Sequence, residues 1–152
     1  MTRPRKLVLS LALVAAAAYG LKVSNAEARP SDGHAIACVV DVVVETRNQS
    51  NTLVGTEVYH KEFVLQEGGR FSDDFSTRTR FKFFDAFLQK NNGESTVSAD
   101  WFADVTVFNS VDFQTSVTLE DGAKRGKSTG SHTLFTSGGS TTTTYSLVCA
   151  EQ

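Results

Sequence analysis

The stretch Thr96-Val97-Ser98-Ala99-Asp100-Trp101-Phe102-Ala103-Asp104-Val105-Thr106-Val107 decides the fold class. Val97, Ala99, Trp101, Ala103, Val105 and Val107 share one parity, and Thr96, Ser98, Asp100, Asp104 and Thr106 share the other. A period of two belongs to an extended strand with one face on a core and the other in water. Phe102 and the nearby Phe108 are the exceptions: both fall on the polar parity, where they are either covered by another element or part of an exposed aromatic patch for a partner.

Reading outward from this strand, the same grammar repeats. Upstream, Asn91-Asn92-Gly93 is a strong hairpin signal. Downstream, residues 112–120 form another strand through Phe113, Val117 and Leu119. Residues 35–46 carry the β-branched run Val39, Val40, Val42, Val43, Val44. A turn at Asn48–Asn51 and a second strand over 52–66 follow, broken by Glu67-Gly68-Gly69. Residues 71–76 read as irregular, with Asp73-Asp74 a turn or bulge. Asp121-Gly122 opens a polar loop that runs to Gly130. A short strand over 132–136, a turn at Ser137-Gly138-Gly139 and a last strand over 141–150 complete the chain.

Residues 77–90 admit two readings. Thr79, Phe81 and Phe83 alternate with Arg78, Arg80 and Lys82, and then Phe84, Ala86 and Leu88 take over the apolar parity. A strand with a one-residue bulge produces such a slip. A helix over 80–90, with Phe81, Phe84 and Leu88 on one face, is the alternative. We take the strand, because Phe and Thr favour extended backbone and the neighbouring segments alternate. The whole implies an all-β domain over 35–152, an antiparallel β-sandwich of seven to eight strands, with a flattened meander β-barrel as the alternative.

The first 26 residues read as a cleaved signal peptide. Arg3, Arg5 and Lys6 precede the apolar run Leu7–Tyr19, and Ser24-Asn25-Ala26 offers a small-x-small cleavage site, with Ala26-Glu27-Ala28 as a second. The run is about 13 residues, short of the roughly 20 needed to span a bilayer. No second apolar run follows, so no membrane span is expected after cleavage. The address is therefore secreted or periplasmic. Residues 27–34 read as a flexible lead-in. Ala35-Ile36-Ala37-Cys38 loosely matches a lipobox but stands well downstream of the apolar run, so lipidation is not expected.

Export also changes the charge. Four basic residues, Arg3, Arg5, Lys6 and Lys22, leave with the leader, so the remainder holds 11 Lys+Arg against 17 Asp+Glu, a net charge of −6. That balance argues against nucleic acid, whose phosphates demand clustered positive charge.

Cys38 and Cys149 are the two cysteines. Cys38 shares parity with Ile36, Val40, Val42 and Val44, and Cys149 with Tyr145 and Leu147, so both thiols point at the core. In an oxidising compartment they are expected to form one disulfide joining the first and last strands. A metal site would need more soft ligands.

No catalytic or cofactor motif stands out. Gly122-Ala123-Lys124-Arg125-Gly126-Lys127-Ser128 has three residues between its glycines, where a phosphate loop has four, and a turn follows instead of a helix. It reads as a mobile basic loop whose Lys124, Arg125 and Lys127 are weak contacts for an anionic partner. Arg78, Arg80 and Lys82 form a second positive stripe, better explained as edge-strand solubility. His34, His60 and His132 lack metal-ligand spacing. A hydrolase triad would have to draw on His60 or His132 with Asp73 or Asp74, and no nucleophile elbow is present. Asn48-Gln49-Ser50 is a glycosylation sequon.

The reading is an exported, non-enzymatic binding or interaction module with a protein or glycan partner and no cofactor. The alternatives are a secreted hydrolase with a loop-built site and an envelope or extracellular structural subunit that assembles through β-strand edges.

Overall fold

A computed structural model describes residues 35–105, 110–120 and 123–152. The expected leader and lead-in, Phe108 and the Asp121-Gly122 turn lie outside the described residues. Eight strands follow one another: β1 (Ile36–Asn48), β2 (Leu53–Leu65), β3 (Arg70–Asp74), β4 (Lys82–Asn91), β5 (Glu94–Asp104), β6 (Ser110–Leu119), β7 (Arg125–Thr136) and β8 (Gly139–Glu151). No helix occurs among the described residues, and so none is long and apolar enough to cross a membrane.

The strands form two antiparallel four-stranded sheets, β2-β1-β8-β7 and β3-β4-β5-β6. Consecutive strands pair except at two corners, β2 to β3 and β6 to β7, where the chain passes between sheets. The first and last strands pair along their whole length. The up-and-down order of a meander barrel is therefore present, but no ladder crosses either corner among the described residues, and the architecture is a sandwich. The β2/β3 corner is filled by rings instead: Tyr59 stacks on Phe75 at 4.5 Å and Phe63 on Phe71 at 4.8 Å. Its backbone turns at Gly68 (φ 69°), with Gly69 N–H donating to Gln66 O at 2.7 Å.

Alternation delivers the core. Ile36, Cys38, Val40, Val42 and Val44 of β1 meet Phe84, Ala86 and Leu88 of β4 and Val97, Ala99, Trp101 and Ala103 of β5. Leu147 and Cys149 come from β8, and Val111, Val117 and Leu119 from β6. A column of rings, Trp101–Phe113–Tyr145, runs from one sheet to the other with centroids 5.6 and 4.2 Å apart. Cys38 and Cys149 are disulfide-bonded and directly opposed in the β1–β8 ladder.

Three local expectations are corrected. First, Arg70–Asp74 is a strand, β3, not an irregular segment; Phe71 and Asp73 face inward and Arg70, Ser72 and Asp74 outward. Second, the parity slip in 77–90 is neither a bulge nor a helix. Thr77 and Arg80 bridge a tight turn, and β4 starts beyond it at Lys82 in unbroken register with β5. The turn absorbs the slip, so Phe81 and Phe83 do not share the core face of Phe84. Third, the polar loop to Gly130 is mostly strand. β7 begins at Arg125, with Gly126, Ser128 and Gly130 inward and Arg125, Lys127 and Thr129 outward. Small residues replace apolar ones there because space is short. A Cβ on Gly126 would stand 2.5 Å from Val117 Cγ1, and one on Gly130 2.6 Å from the Tyr145 ring.

The Asn92-Gly93 turn follows its expected chemistry. Both residues have positive φ, 51° and 89°, the requirement of the two-residue turn that matches strand twist.

Candidate binding surface

The outward parity of the β3–β6 sheet brings together residues far apart in sequence. Phe83 pairs across the ladder with Phe102, and their rings stack at 5.5 Å. Phe81, just before β4, meets both edge-on, at 6.1 and 6.3 Å. Phe81 is 59% exposed, which makes it the tip of this cluster. Its backbone is held by the neighbouring strand: Phe81 N–H donates to Asp104 Oδ2 at 2.8 Å, and Asp104 N–H donates to Phe81 O at 2.9 Å.

Carboxylates surround the rings. Asp74 is the ladder neighbour of Phe83, Asp112 that of Phe102, and Asp104 lies beside Phe81. One row further along, Ser72, Asp85, Asp100 and Gln114 run straight across four strands. Asp85 and Asp100 are directly opposed, an arrangement that costs stability unless something offsets it. Asp85 is offset locally. The Ser72 hydroxyl donates to it and Arg70 Nη2 donates at 2.9 Å, and these hold its carboxyl below the usual carboxylate range. Asp74 is held low by Ser76, whose N–H donates at 3.0 Å. Asp100 and Asp112 have no ion pair among the described residues. Two shallow depressions, of about 280 and 380 Å³, adjoin at Ser98 and Asp100 on this face.

Phe102 thus sits in an aromatic cluster, and its companions are Phe81 and Phe83. Phe108, the other aromatic expected there, lies outside the described residues. Alternation within 77–83 alone misses Phe81 and Phe83. The missing signal is the hairpin. With Asn92-Gly93 as a two-residue turn, counting outward sets Phe83 opposite Phe102 and Phe84 opposite Trp101.

The positive groups are distributed differently. Arg78 is exposed in the turn, Arg80 Nη1 donates to Asp104 O at 3.3 Å, and Lys82 faces inward and pairs with Glu57. They share no face, because the turn interrupts the strand on which the stripe would have stood. Arg125 and Lys127 are exposed on the outward face of β7, on the other sheet, with Lys124 just before them.

His60 and His132 stand on different strands, β2 and β7, of the same sheet. His60 lies on the outward face of β2, with Nδ1 2.6 Å from Asp41 Oδ1 and Nε2 3.9 Å from Glu62 Oε1. The Asp41 bond raises its pKa. Ser146 neighbours Asp41, not His60, so the order is wrong for a serine nucleophile relayed through histidine. Asp73 is engaged elsewhere: the Tyr59 hydroxyl donates to it at 3.0 Å and Lys61 Nζ lies 2.9 Å away. Burial, with the Asp73 bond, pushes the Tyr59 phenol well above its ordinary value. Among the described residues no three His, Cys, Asp or Glu groups converge as metal ligands.

A small, partly open cavity of about 100 Å³ lies between Val42, Val44, Glu57, Val58, Tyr59, Phe75, Lys82 and Trp101. Ligand pockets start near 300 Å³, so it is a packing gap at the β2/β3 corner. Trp101 Nε1, which has no hydrogen-bond partner among the described residues, belongs to one of its walls.

No protein-family model and no curated protein matches this chain.

Proposed function

We propose that this protein is an exported, non-enzymatic binding module that holds a basic protein segment on the outward face of the β3–β6 sheet. The observation that carries the reading is the Phe81–Phe83–Phe102 cluster rimmed by Asp74, Asp104 and Asp112. Aromatic faces attract cations, Arg and Lys side chains bring an apolar stem with a charged head, and carboxylates at the rim complement that head. The unneutralised Asp100 extends the same preference along the face. Export is part of the proposal and draws on the leader and on the disulfide, which persists in oxidising compartments.

The test is binding of the purified protein to an immobilised Arg/Lys-rich peptide, beside the same peptide with Gln in place of each basic residue and a panel of neutral oligosaccharides. We expect saturable binding to the basic peptide alone, weakening steeply with salt. Phe102→Ala and Asp112→Asn should each lower affinity about tenfold, the scale of a desolvated contact of about 1.4 kcal/mol. Salt-independent binding to an oligosaccharide, also lost in Phe102→Ala, would replace this reading with a glycan one. Loss of a hydrolytic activity in His60→Ala would replace it with an enzyme.

A further inference from the structure

We propose that two copies of this chain pair through β2, antiparallel and centred on Tyr59, joining their β2-β1-β8-β7 sheets into one eight-stranded sheet. The inference is independent of the aromatic face on the other sheet. β2 is an edge strand of 13 residues. One side pairs with β1, and no strand among the described residues pairs with the other. Unpaired amides and carbonyls along such an edge are a template for another strand. Seven large apolar side chains are conspicuously exposed among the described residues, and four of them, Leu53, Val54, Val58 and Val64, lie on this strand. Val58 is the most exposed of the four, at 70%.

Edge strands usually resist pairing by pointing charges inward, where an incoming strand would bury them unmatched. β2 has two such charges, Glu57 and Lys61, which reach across the corner to Lys82 and Asp73 respectively. The sequence Gly-Thr-Glu-Val-Tyr-His-Lys-Glu-Phe over Gly55–Phe63, the regular part of β2, removes that obstacle in one register, because its inward charges are complementary when it is reversed. With Tyr59 on the two-fold axis, Glu57 stands opposite the partner's Lys61, and Lys61 opposite the partner's Glu57. The matched stretch ends at Gly55, where the β1–β2 register shifts, so Val54 and Leu53 lie outside it. The inward charges then alternate in sign along the row Lys82, Glu57, the partner's Lys61 and the partner's Asp73. A contact of this kind is isologous and closes as a dimer instead of growing into a fibre.

The neighbouring registers fail. Faces are kept only by sliding the partner strand two residues at a time. One such slide sets Val58 against the partner's Glu62, and both separate Glu57 from Lys61. The pairing is thus specified by charge.

Two measurements on the full chain test it. Light scattering across a concentration series should give the mass of two chains, falling to one in Val58→Lys with a dissociation constant raised about tenfold or more, as expected when an apolar side chain at the centre of a seam is replaced by a charge that must be desolvated. Register is read by crosslinking. Thr56 and Glu62 face outward, are exposed, and become directly opposed across the axis. Thr56→Cys and Glu62→Cys, prepared separately and mixed under oxidation, should give a disulfide-linked heterodimer, while neither crosslinks alone. A monomer at every concentration would overturn the proposal. So would Thr56→Cys crosslinking to itself as well as to Glu62→Cys.

Discussion

Cys38 and Cys149 face each other directly across the β1–β8 ladder, with Cα atoms 4.1 Å apart and both side chains buried. The spacing is that of an antiparallel pair without mutual backbone hydrogen bonds, where side chains come closest. The crosslink therefore does not bridge the two sheets. It staples the one ladder that brings together the first and last strands of the meander.

The disulfide should be a stabiliser and not a condition of the fold. Replacing both cysteines by Ala should lower unfolding free energy by about 2–4 kcal/mol, because the reduced chain regains the freedom of a very long loop. Urea unfolding measures this, and an unchanged midpoint would contradict it. A free-thiol count on unfolded, unreduced protein should be zero.

Gly126 is required by crowding. Its Cβ would lie 2.5 Å from Val117 Cγ1 and 3.0 Å from Leu119 Cδ2, on the strand across the β6/β7 corner. Gly126→Ala should cost about 1–3 kcal/mol, the range for overpacking a core. Gly55, where an added Cβ meets nothing within 4 Å, is the control, and Gly55→Ala should be close to neutral.

Phe84 is fully buried at the meeting point of Tyr59, Phe63 and Phe71. Phe84→Ala should cost about 3–5 kcal/mol. The single tryptophan, Trp101, is its ladder neighbour and 3% exposed, so its emission should be blue-shifted in the native state and should move to the red on unfolding. An aqueous-type native emission would contradict this packing.

The His60–Asp41 pair makes a signed prediction about pH. Its folded pKa is raised above 6.5, chiefly by the Asp41 bond. The stabilisation is therefore fully present below 6.5 and is lost as pH rises through the folded value. Asp85 runs the other way: its pKa is depressed, so its contribution holds above the ordinary carboxyl range and disappears as pH falls through the lowered value. An NMR titration of His60 should show the raised midpoint in the native chain and a return toward 6.5 in Asp41→Asn. Identical midpoints in both would refute the pairing.

The sequence by itself determined the strand architecture and the disulfide. Alternation around Trp101 and the β-branched run Val39–Val44 point to strands, and parity alone aims Cys38 and Cys149 inward. Both are local consequences of a backbone whose side chains alternate every residue. Only the tertiary structure decided the rest. The strand at β7 has almost no apolar alternation of its own, because Gly126 and Gly130 are dictated by Val117 and Tyr145 arriving from other strands. The turn at Thr77–Arg80 moves Phe81 and Phe83 off the core face, and it does so through contacts with β5 that no window over 77–90 contains. Sandwich against barrel was likewise a matter of two corners, where rings and small residues stand in place of backbone pairing. Local periodicity reports which way a side chain points; what it points at is set by strands distant in sequence, and the aromatic face is assembled at that second level.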